Sequence, residues 1–150
     1  MRTVFDIAAK RAALTPDRTA FTEIESGARR TYGALDDRVA RCGSVLRQRG
    51  VAEGDRVAIL SHNDIAFFEI LLACARAEAI LVPLNWRQPV PELLPILKDC
   101  RPKLLLADAE HAGVAGELAK VLGVSLLSRG DYETEIAAAP PSPCETATSP

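Results

Sequence analysis

Hydrophobic and polar positions along the chain follow two periods, one typical of helices and one typical of strands. Residues 4–14 have the amphipathic spacing of a short helix. Thr19–Ile24 and Arg29–Tyr32 then alternate as strands do, and Ser26-Gly27 between them is a turn sequence. The pattern therefore predicts a helix followed by a β-hairpin.

A longer helix is predicted directly after the hairpin. Thr31 is a good N-cap, because its hydroxyl can accept a hydrogen bond from a free backbone N–H of the first turn. Apolar residues behind it recur at spacings of four, three and four, which places them on one helical face: Leu35, Val39, Cys42 and Leu46. Gly50 is expected to end this helix.

From residue 56 onward, short apolar runs alternate with helical periods. The predicted strands are Arg56–Leu60, Ile80–Leu84, Lys103–Ala107 and Val124–Leu127. The predicted helices are one capped by Asn63 or Asp64 and ending at Ala77, then Val90–Cys100 and Glu110–Leu122. Pro95 lies inside the second of these, where an interior proline costs about 3 kcal/mol. That helix is therefore expected to begin late or to kink.

Such an alternation is typical of parallel strands joined by right-handed crossovers. The strands are continuous apolar runs, which indicates that both faces of the sheet are covered. The predicted fold class is therefore α/β, a parallel sheet with helices on both faces. Residues 1–130 form one ordered unit in this interpretation. Residues 131–150 carry four prolines and few large apolar side chains, and they are predicted to be a Pro-rich mobile tail.

Composition narrows the class of protein. The chain has 150 residues, 48% of them hydrophobic, and a net charge of −2, so no electrostatic argument favours nucleic acid or an anionic membrane as a partner. The longest apolar region, Ile65–Leu84, is broken by charged residues and does not predict a membrane span. Four widely spaced cysteines form no metal or redox pair, which favours a reduced, cytoplasmic protein.

The commonest catalytic signatures are missing. The sequence has no GxxxxGK[ST] phosphate loop, no GxGxxG fingerprint, no HExxH motif and no GxSxG motif. His62 and His111 have no ligand at i+3 or i+4, and Glu110 would not face the same way as His111 on a helix. The sequence therefore predicts no catalytic residue and no metal site.

Ligands of open parallel sheets bind beyond the carboxyl ends of the strands. The residues predicted there are Ser61, His62, Asn63, Asn85, Trp86, Arg87, Gln88, Asp108, Ser128 and Arg129. Arg87 is the strongest binding candidate, because it follows a buried strand and could present a planar fork of N–H donors to a phosphate. The alternative is an exposed loop arginine or one that stacks on Trp86. His62, Asn63 and Asp108 are expected to cap helices.

Three stretches, in this order, resemble the N-terminal part of the adenylate-forming (AMP-binding) acyl-CoA synthetase and ligase superfamily. They are TYGALDDRVARCGSVLRQRGVAEGDRVAIL (Thr31–Leu60), SHNDIAFFEILLACARAEAILVPLNWR (Ser61–Arg87) and PELLPILKDCRPKLLLAD (Pro91–Asp108). The resemblance implies a partial N-terminal domain of an enzyme that uses ATP, magnesium and coenzyme A to convert a carboxylic acid into an acyl-adenylate and then an acyl-CoA. It also implies a role for Arg87, which matches a loop arginine that lies near the ribose phosphate of coenzyme A in some aryl-CoA ligases.

The sequence also departs from that family. Glu78 replaces the usual glycine before the second strand, Val90 replaces a Ser or Thr helix cap, and Pro95 interrupts the next helix. The family's Ser/Thr/Gly-rich phosphate loop, its adenine- and ribose-binding motifs and its C-terminal lysine domain are absent. We therefore expect a truncated N-terminal part of an ATP-dependent carboxylic acid:CoA ligase, which binds no cofactor and is inactive alone.

Two other interpretations stay open. One is a stand-alone doubly wound α/β module that holds a small anion in the loop Asn85–Gln88. The other is an inactive remnant that associates with a full-length ligase through a sheet edge left unpaired. The family builds its acid pocket mainly from residues that follow this segment, so the sequence does not predict which carboxylic acid is used.

Overall fold

The computed structural model describes residues 6–142, which form helices and strands in close alternation. In chain order these are α1 (Ile7–Leu14), β1 (Thr19–Thr22), β2 (Arg29–Thr31), α2 (Tyr32–Gln48), β3 (Arg56–Leu60), α3 (Ile65–Arg76), β4 (Ile80–Pro83), α4 (Val90–Cys100), β5 (Leu104–Ala107), α5 (Ala112–Leu122), β6 (Ser125–Ser128) and α6 (Arg129–Ala138). All elements expected from the sequence are present within these residues, with ends that differ by a few positions. The predicted helix at 4–14 begins at Ile7, and its first residues lie outside the described part of the chain.

The central sheet has four parallel strands in the order β4-β3-β5-β6, and β1 pairs with β2 in a separate antiparallel hairpin. β3 is one of the two inner strands. Its Ala58 is in register with Val82 of β4 on one side and with Leu105 of β5 on the other. The prediction of a parallel sheet is confirmed.

Helices cover both faces of this sheet, as predicted. Alternate residues of a strand point to opposite faces. Val57 and Ile59 of β3 pack in one core with α2, α3 and α6, whereas Ala58 and Leu60 pack in a second core with α4 and α5. These strand residues are between 0 and 3% exposed, so burial on the two sides is equally complete.

The connections cross the sheet in a consistent way. From β3 the chain moves outward to β4 through α3 on one face, and then returns across β3 to β5 through α4 on the other face. The step from β5 to β6 continues in the second direction, and α5 lies on the same face as α4. Opposite directions of travel thus use opposite faces, which is what crossovers of a single hand require.

Local capping follows the predicted chemistry at α2 and α3. The Thr31 hydroxyl accepts a hydrogen bond from Ala34 N at 3.2 Å. Asp64 caps α3 by accepting from Phe67 N at 2.9 Å, which decides between the two predicted caps. Gly50 follows α2 with a φ of 80°, a left-handed conformation that glycine adopts without steric cost.

The positions at which the sequence departs from its resembled family carry visible local consequences. Glu78 has a φ of 55°, so a side chain occupies the left-handed region for which glycine is suited. α4 begins at Val90 and runs through Pro95 to Cys100, so the expectation of a late start is wrong. Its N-cap is Pro89, which offers no side-chain hydrogen bond.

The predicted mobile tail is wrong for residues 131–142. Arg129–Ala138 form α6, and its Tyr132 and Ile136 are 1% and 2% exposed. Beyond the helix, Ala139 is buried, its carbonyl accepts from Arg41 Nη1 at 2.7 Å, and Ser142 N donates to Ala40 O at 3.1 Å. Packing therefore continues past residue 130, and the rest of the predicted tail lies outside the described residues.

A buried carboxylate explains how α6 is held. Glu69 of α3 is 0% exposed and accepts hydrogen bonds from Arg38 Nε at 2.6 Å and from the Tyr132 hydroxyl at 2.9 Å. Arg38 also donates to Glu133 at 2.9 Å. Burial lowers the pKa of Arg38, but its bonds to the two carboxylates outweigh this and raise the pKa. Burial is the main cause that raises the pKa of Tyr132, so its hydroxyl keeps the proton that it donates.

The exposed edge of the sheet bears on association with other chains. β4 is an edge strand on which Ile80 is 53% exposed, and Pro83 at its end has no N–H to offer a further strand. Association through a sheet edge stays a prediction.

Within residues 6–142, no helix combines the length and the apolar character needed to cross a bilayer.

We predict that Tyr132→Phe destabilises the chain by about 1–3 kcal/mol, because the substitution removes one donor from a buried charged acceptor. Urea unfolding at neutral pH measures the change. Tyr32→Phe is the matched control, because Tyr32 is only half-buried and its ring contact with Arg11 is retained. Equal stability of Tyr132→Phe and the parent chain would show that the Glu69 network does not hold α6.

Candidate functional site

The strand order creates a crevice at one place on the carboxyl edge of the sheet. β3 and β5 are neighbours, but the helices that follow them leave toward opposite faces. Loops that diverge in this way open a gap between them, and open α/β sheets bind their ligands in such gaps. Here the gap lies between the loop after β3, residues 61–64, and the loop after β5, residues 108–111. We call this the switch crevice.

Asp108 connects the two sides of the switch crevice. Its Oδ2 accepts a hydrogen bond from His62 N at 3.0 Å, and its Oδ1 accepts one from His111 N at 2.9 Å. The His111 ring adds a contact between Nδ1 and Asp108 Oδ1 at 2.7 Å, and His62 Nδ1 lies 3.3 Å from Oδ2. The N-cap of α5 is His111, which makes no side-chain cap hydrogen bond, so the predicted capping role of Asp108 is wrong; its carboxylate joins the two loops instead.

These contacts set the ionisation of Asp108. Partial burial raises the pKa of its carboxyl group, but the hydrogen bonds from the backbone of His62 and of His111, together with the His111 ring, outweigh that effect. The pKa of Asp108 is consequently lowered below its ordinary value. The carboxylate remains charged at neutral pH and keeps both loops together.

An aromatic cluster lies over this carboxylate. The Trp86 ring contacts the His62 ring with 4.3 Å between centroids and lies 5.6 Å from the His111 ring, and the two imidazoles are 4.9 Å apart. Trp86 comes from the loop after β4. The loops that follow β3, β4 and β5 therefore meet at one point of the carboxyl edge.

Glu110 joins the two histidines, contrary to the expectation from helical spacing. Glu110 and His111 precede α5, which begins at Ala112, so the geometry of a helix does not separate their side chains. Each of His62, Glu110 and His111 offers a ligand atom within 4.8 Å of the others. Sequence reasoning missed this group because two loops far apart in the chain form it.

Arg87 lies at the rim of the same cluster. Its guanidinium carbon is 4.0 Å from the centroid of the Trp86 ring, and the residue is exposed. The loop is held by a turn in which Asn85 Oδ1 accepts from Arg87 N at 3.1 Å and Asn85 O accepts from Gln88 N at 3.0 Å. The stacking alternative raised for Arg87 is thus present, and stacking leaves the N–H edge of the guanidinium available for a ligand.

Three other residues predicted at the carboxyl edge, Ser61, Ser128 and Arg129, have structural partners. Ser61 is buried and donates to His62 O at 3.0 Å. Ser128 caps α6 by accepting from Asp131 N at 3.3 Å, and Arg129 forms an ion pair with Asp64. These contacts fix the ends of helices around the crevice.

Buried thiols are unsuited to nucleophilic chemistry. Cys42 and Cys74 are free, and burial raises the pKa of both thiols, that of Cys74 to about 12. Thiolates are scarce at neutral pH under these conditions. Cys144 lies outside the described residues.

The space at the carboxyl edge is too small to be a nucleotide pocket. The partly open space between the ends of β3, β5 and β6 and Tyr132 measures about 10 Å³, room for roughly one water molecule. ATP and its magnesium ion do not fit there.

A groove of about 490 Å³ lies at the opposite end of the sheet, lined by Arg49, Lys98, Arg101 and Lys103. α2, α4 and α5 end there, and their negative dipole ends account for the basic side chains.

The fold and this edge define a class of protein: a doubly wound α/β segment in which the loops after β3, β4 and β5 meet at the carboxyl edge of the sheet. The family model of the AMP-binding enzymes matches residues 8–148, and the chain belongs to that family. Its structural neighbours are parts of adenylate-forming enzymes. The resemblance stated from the sequence is therefore confirmed.

Several of the similar proteins are CoA synthases or CoA ligases. The chain is 44% identical over 110 residues to a feruloyl-CoA synthase of Amycolatopsis, and it spans about 22% of that protein's length. It is 35% identical over 105 residues to the long-chain-fatty-acid–CoA ligase FadD13 of Mycobacterium tuberculosis, of which it covers 21%. The N-terminal domain of FACL13 from M. tuberculosis has a similar structure, with a TM-score of 0.88 and 25% identity over 99% of this chain and 39% of that one.

We predict that Asp108→Asn destabilises the chain by about 1–3 kcal/mol at pH 7, because hydrogen bonds to a charged acceptor are weakened. The folded pKa of Asp108 is lowered, so its contribution is fully present above the unfolded value of about 3.9 and is lost as the pH falls through the folded value. Denaturant unfolding between pH 7 and pH 3 should show the difference from the parent chain shrinking at the acidic end.

Asp99→Asn, at an exposed position of α4, is the control for the loss of a charge. Its effect should be small throughout this range. A penalty for Asp108→Asn that stays constant down to pH 3 would contradict the charged bridge between the loops.

Proposed function

We propose that this chain supplies the N-terminal portion of an ATP-dependent carboxylic acid:CoA ligase, and that its own task is to hold coenzyme A at the carboxyl edge of the sheet. The observation that carries the proposal is the exposed guanidinium of Arg87, stacked 4.0 Å from the Trp86 ring at the meeting point of three loops. Membership of the AMP-binding family supports the reaction class.

The reaction proposed for the whole protein has two halves. The carboxylate of the acid attacks the α-phosphorus of ATP, forming an acyl-adenylate and releasing pyrophosphate. The thiol of coenzyme A then attacks the acyl carbon, forming the thioester and releasing AMP. Magnesium would neutralise the phosphate charge in the first half. The 10 Å³ space at the carboxyl edge is too small for ATP, and we assign no step of the first half to this edge.

Arg87 is suited to the second half. The planar guanidinium fork of an arginine can donate two parallel N–H hydrogen bonds to oxygens of a coenzyme A phosphate. The indole beneath the guanidinium restricts its motion, which reduces the entropy lost on binding. The Asn85 turn fixes the backbone from which Arg87 extends. Arg87 is thus proposed to anchor the cofactor at a distance from the reacting thiol.

We further propose that the isolated chain is inactive as a ligase and that the protein acts in the cytoplasm. The proposed inactivity is supported by the short span of the chain, about 22% of the length of the feruloyl-CoA synthase that it resembles. Free cysteines at positions 42, 74 and 100 support a reducing compartment. Ferulate and long-chain fatty acids are named for similar proteins, and the acid used here is left unassigned.

A chimera tests this proposal. The matching 110-residue segment of the Amycolatopsis feruloyl-CoA synthase is replaced by the segment from this chain, and ferulate-dependent pyrophosphate release and thioester formation are measured separately. We expect the folded chimera to perform both half-reactions, whereas the isolated 150-residue chain releases no pyrophosphate. In the chimera, Arg87→Ala should raise KM for coenzyme A about tenfold, corresponding to loss of about 1.4 kcal/mol, and leave pyrophosphate release nearly unchanged.

Arg47→Ala is the matched control, because Arg47 is exposed on the last turn of α2, away from the carboxyl edge. It should change neither half-reaction. A folded chimera that releases no pyrophosphate would contradict the assignment of the segment, and an unchanged KM for coenzyme A in Arg87→Ala would contradict the role of Arg87.

A further inference from the structure

The switch crevice carries a set of side chains that the proposed ligase role does not use. His62, Glu110 and His111 each direct a ligand atom into the same space, with all three atoms within 4.8 Å of one another. Imidazole nitrogen and carboxylate oxygen are the donors that bind zinc and similar divalent ions. We propose that these three residues form a binding site for a divalent transition-metal ion of the zinc class.

The distances are compatible with closure around an ion. Zinc bonds to nitrogen and oxygen are about 2.1 Å long, which places the ligand atoms of a tetrahedral site about 3.4 Å apart. Glu110 has a side chain that is 72% exposed, and its carboxylate already lies 3.7 Å from His62 Nδ1. Rotation of this free side chain and a small shift of the His62 ring, 40% exposed, bring the donors together without moving the strands.

Asp108 supplies the support that metal-binding histidines need. Its Oδ1 lies 2.7 Å from His111 Nδ1, while the His111 side chain is 10% exposed and so has little freedom to rotate. A carboxylate that accepts the Nδ1 proton leaves the Nε2 lone pair of the same ring free for a metal. The carboxylates of Asp108 and Glu110 together also carry the charge that balances a divalent cation.

The position of the three residues in the fold supports a binding role. It spans the loops after β3 and β5, which are the two loops that flank the topological switch point. Trp86 covers the histidines from the loop after β4, at 4.3 Å from one and 5.6 Å from the other. Three protein ligands leave a fourth position for water or for an anionic ligand that reaches the edge.

The chain contains its own reporter for this site. Trp86 is the only tryptophan, and His62 and His111 are the only histidines in the 150 residues. Cobalt(II) is the probe, because it accepts the same donors as zinc and quenches indole fluorescence at short range. The measurement is the Trp86 emission of the whole chain during titration with cobalt(II), followed by competition with zinc.

We expect saturable quenching with one cobalt ion per chain, reversed by zinc. Glu110→Ala should weaken cobalt binding at least roughly tenfold, since loss of a residue that only hydrogen-bonds to a metal ligand already costs about 10- to 100-fold. His62→Asn and His111→Asn should abolish saturable quenching. Glu117→Ala, at an exposed carboxylate within α5, should bind cobalt as the parent chain does.

Glu110→Ala decides the result even if a histidine variant fails to fold, because the Glu110 side chain is exposed and its removal leaves the core intact. Quenching that rises without saturation would overturn the proposal. So would saturable quenching that is equally strong in Glu110→Ala and in the parent chain, because the three-ligand site would then not exist.

Discussion

The parallel pairing of β3 on both of its sides is the constraint on which the rest of the structure depends. Ala58 lies in register between Val82 and Leu105, so β3 has one neighbour that follows it directly in the chain and one that follows two crossovers later. This order forces the helices after β3 and β5 onto opposite faces. The crevice between their loops, the Asp108 bridge and the histidine cluster all result from that divergence.

A second constraint is the buried carboxylate of Glu69. An uncompensated charge at this depth would be strongly unfavourable, so its donors must stay in place. Two of them, Arg38 and Tyr132, come from α2 and α6, and their bonds at 2.6 and 2.9 Å join three helices on one face of the sheet. The ordered unit therefore extends through α6, and the family match to residue 148 agrees with a segment longer than the predicted 130 residues.

The sequence predicted the sheet well because its strands are short, continuous apolar runs separated by helical periods. The sequence-based prediction missed α6 because the prolines and alanines around residues 139–143 indicated a linker more strongly than the neighbouring residues indicated a helix. The helical signal was present in Ser128 as a cap with Asp131 three residues later, and in Tyr132 and Ile136 on one helical face. The histidine cluster left no local signal, since its members come from loops about 50 residues apart. Arg87 could be predicted as a candidate because the ends of strands can be located from the sequence. Its stacking on Trp86 was one of two alternatives in the sequence and is shown only by the structure.

The order of the strands is the central claim, and interstrand contacts in solution test it most directly. In NMR spectra of the isotopically labelled chain, backbone nuclear Overhauser effects should connect Ala58 to Val82 on one side and to Leu105 on the other, with the spacing of parallel strands. Contacts on only one side of β3, or the close α-proton pairs of antiparallel strands, would contradict this account and remove the switch crevice with it.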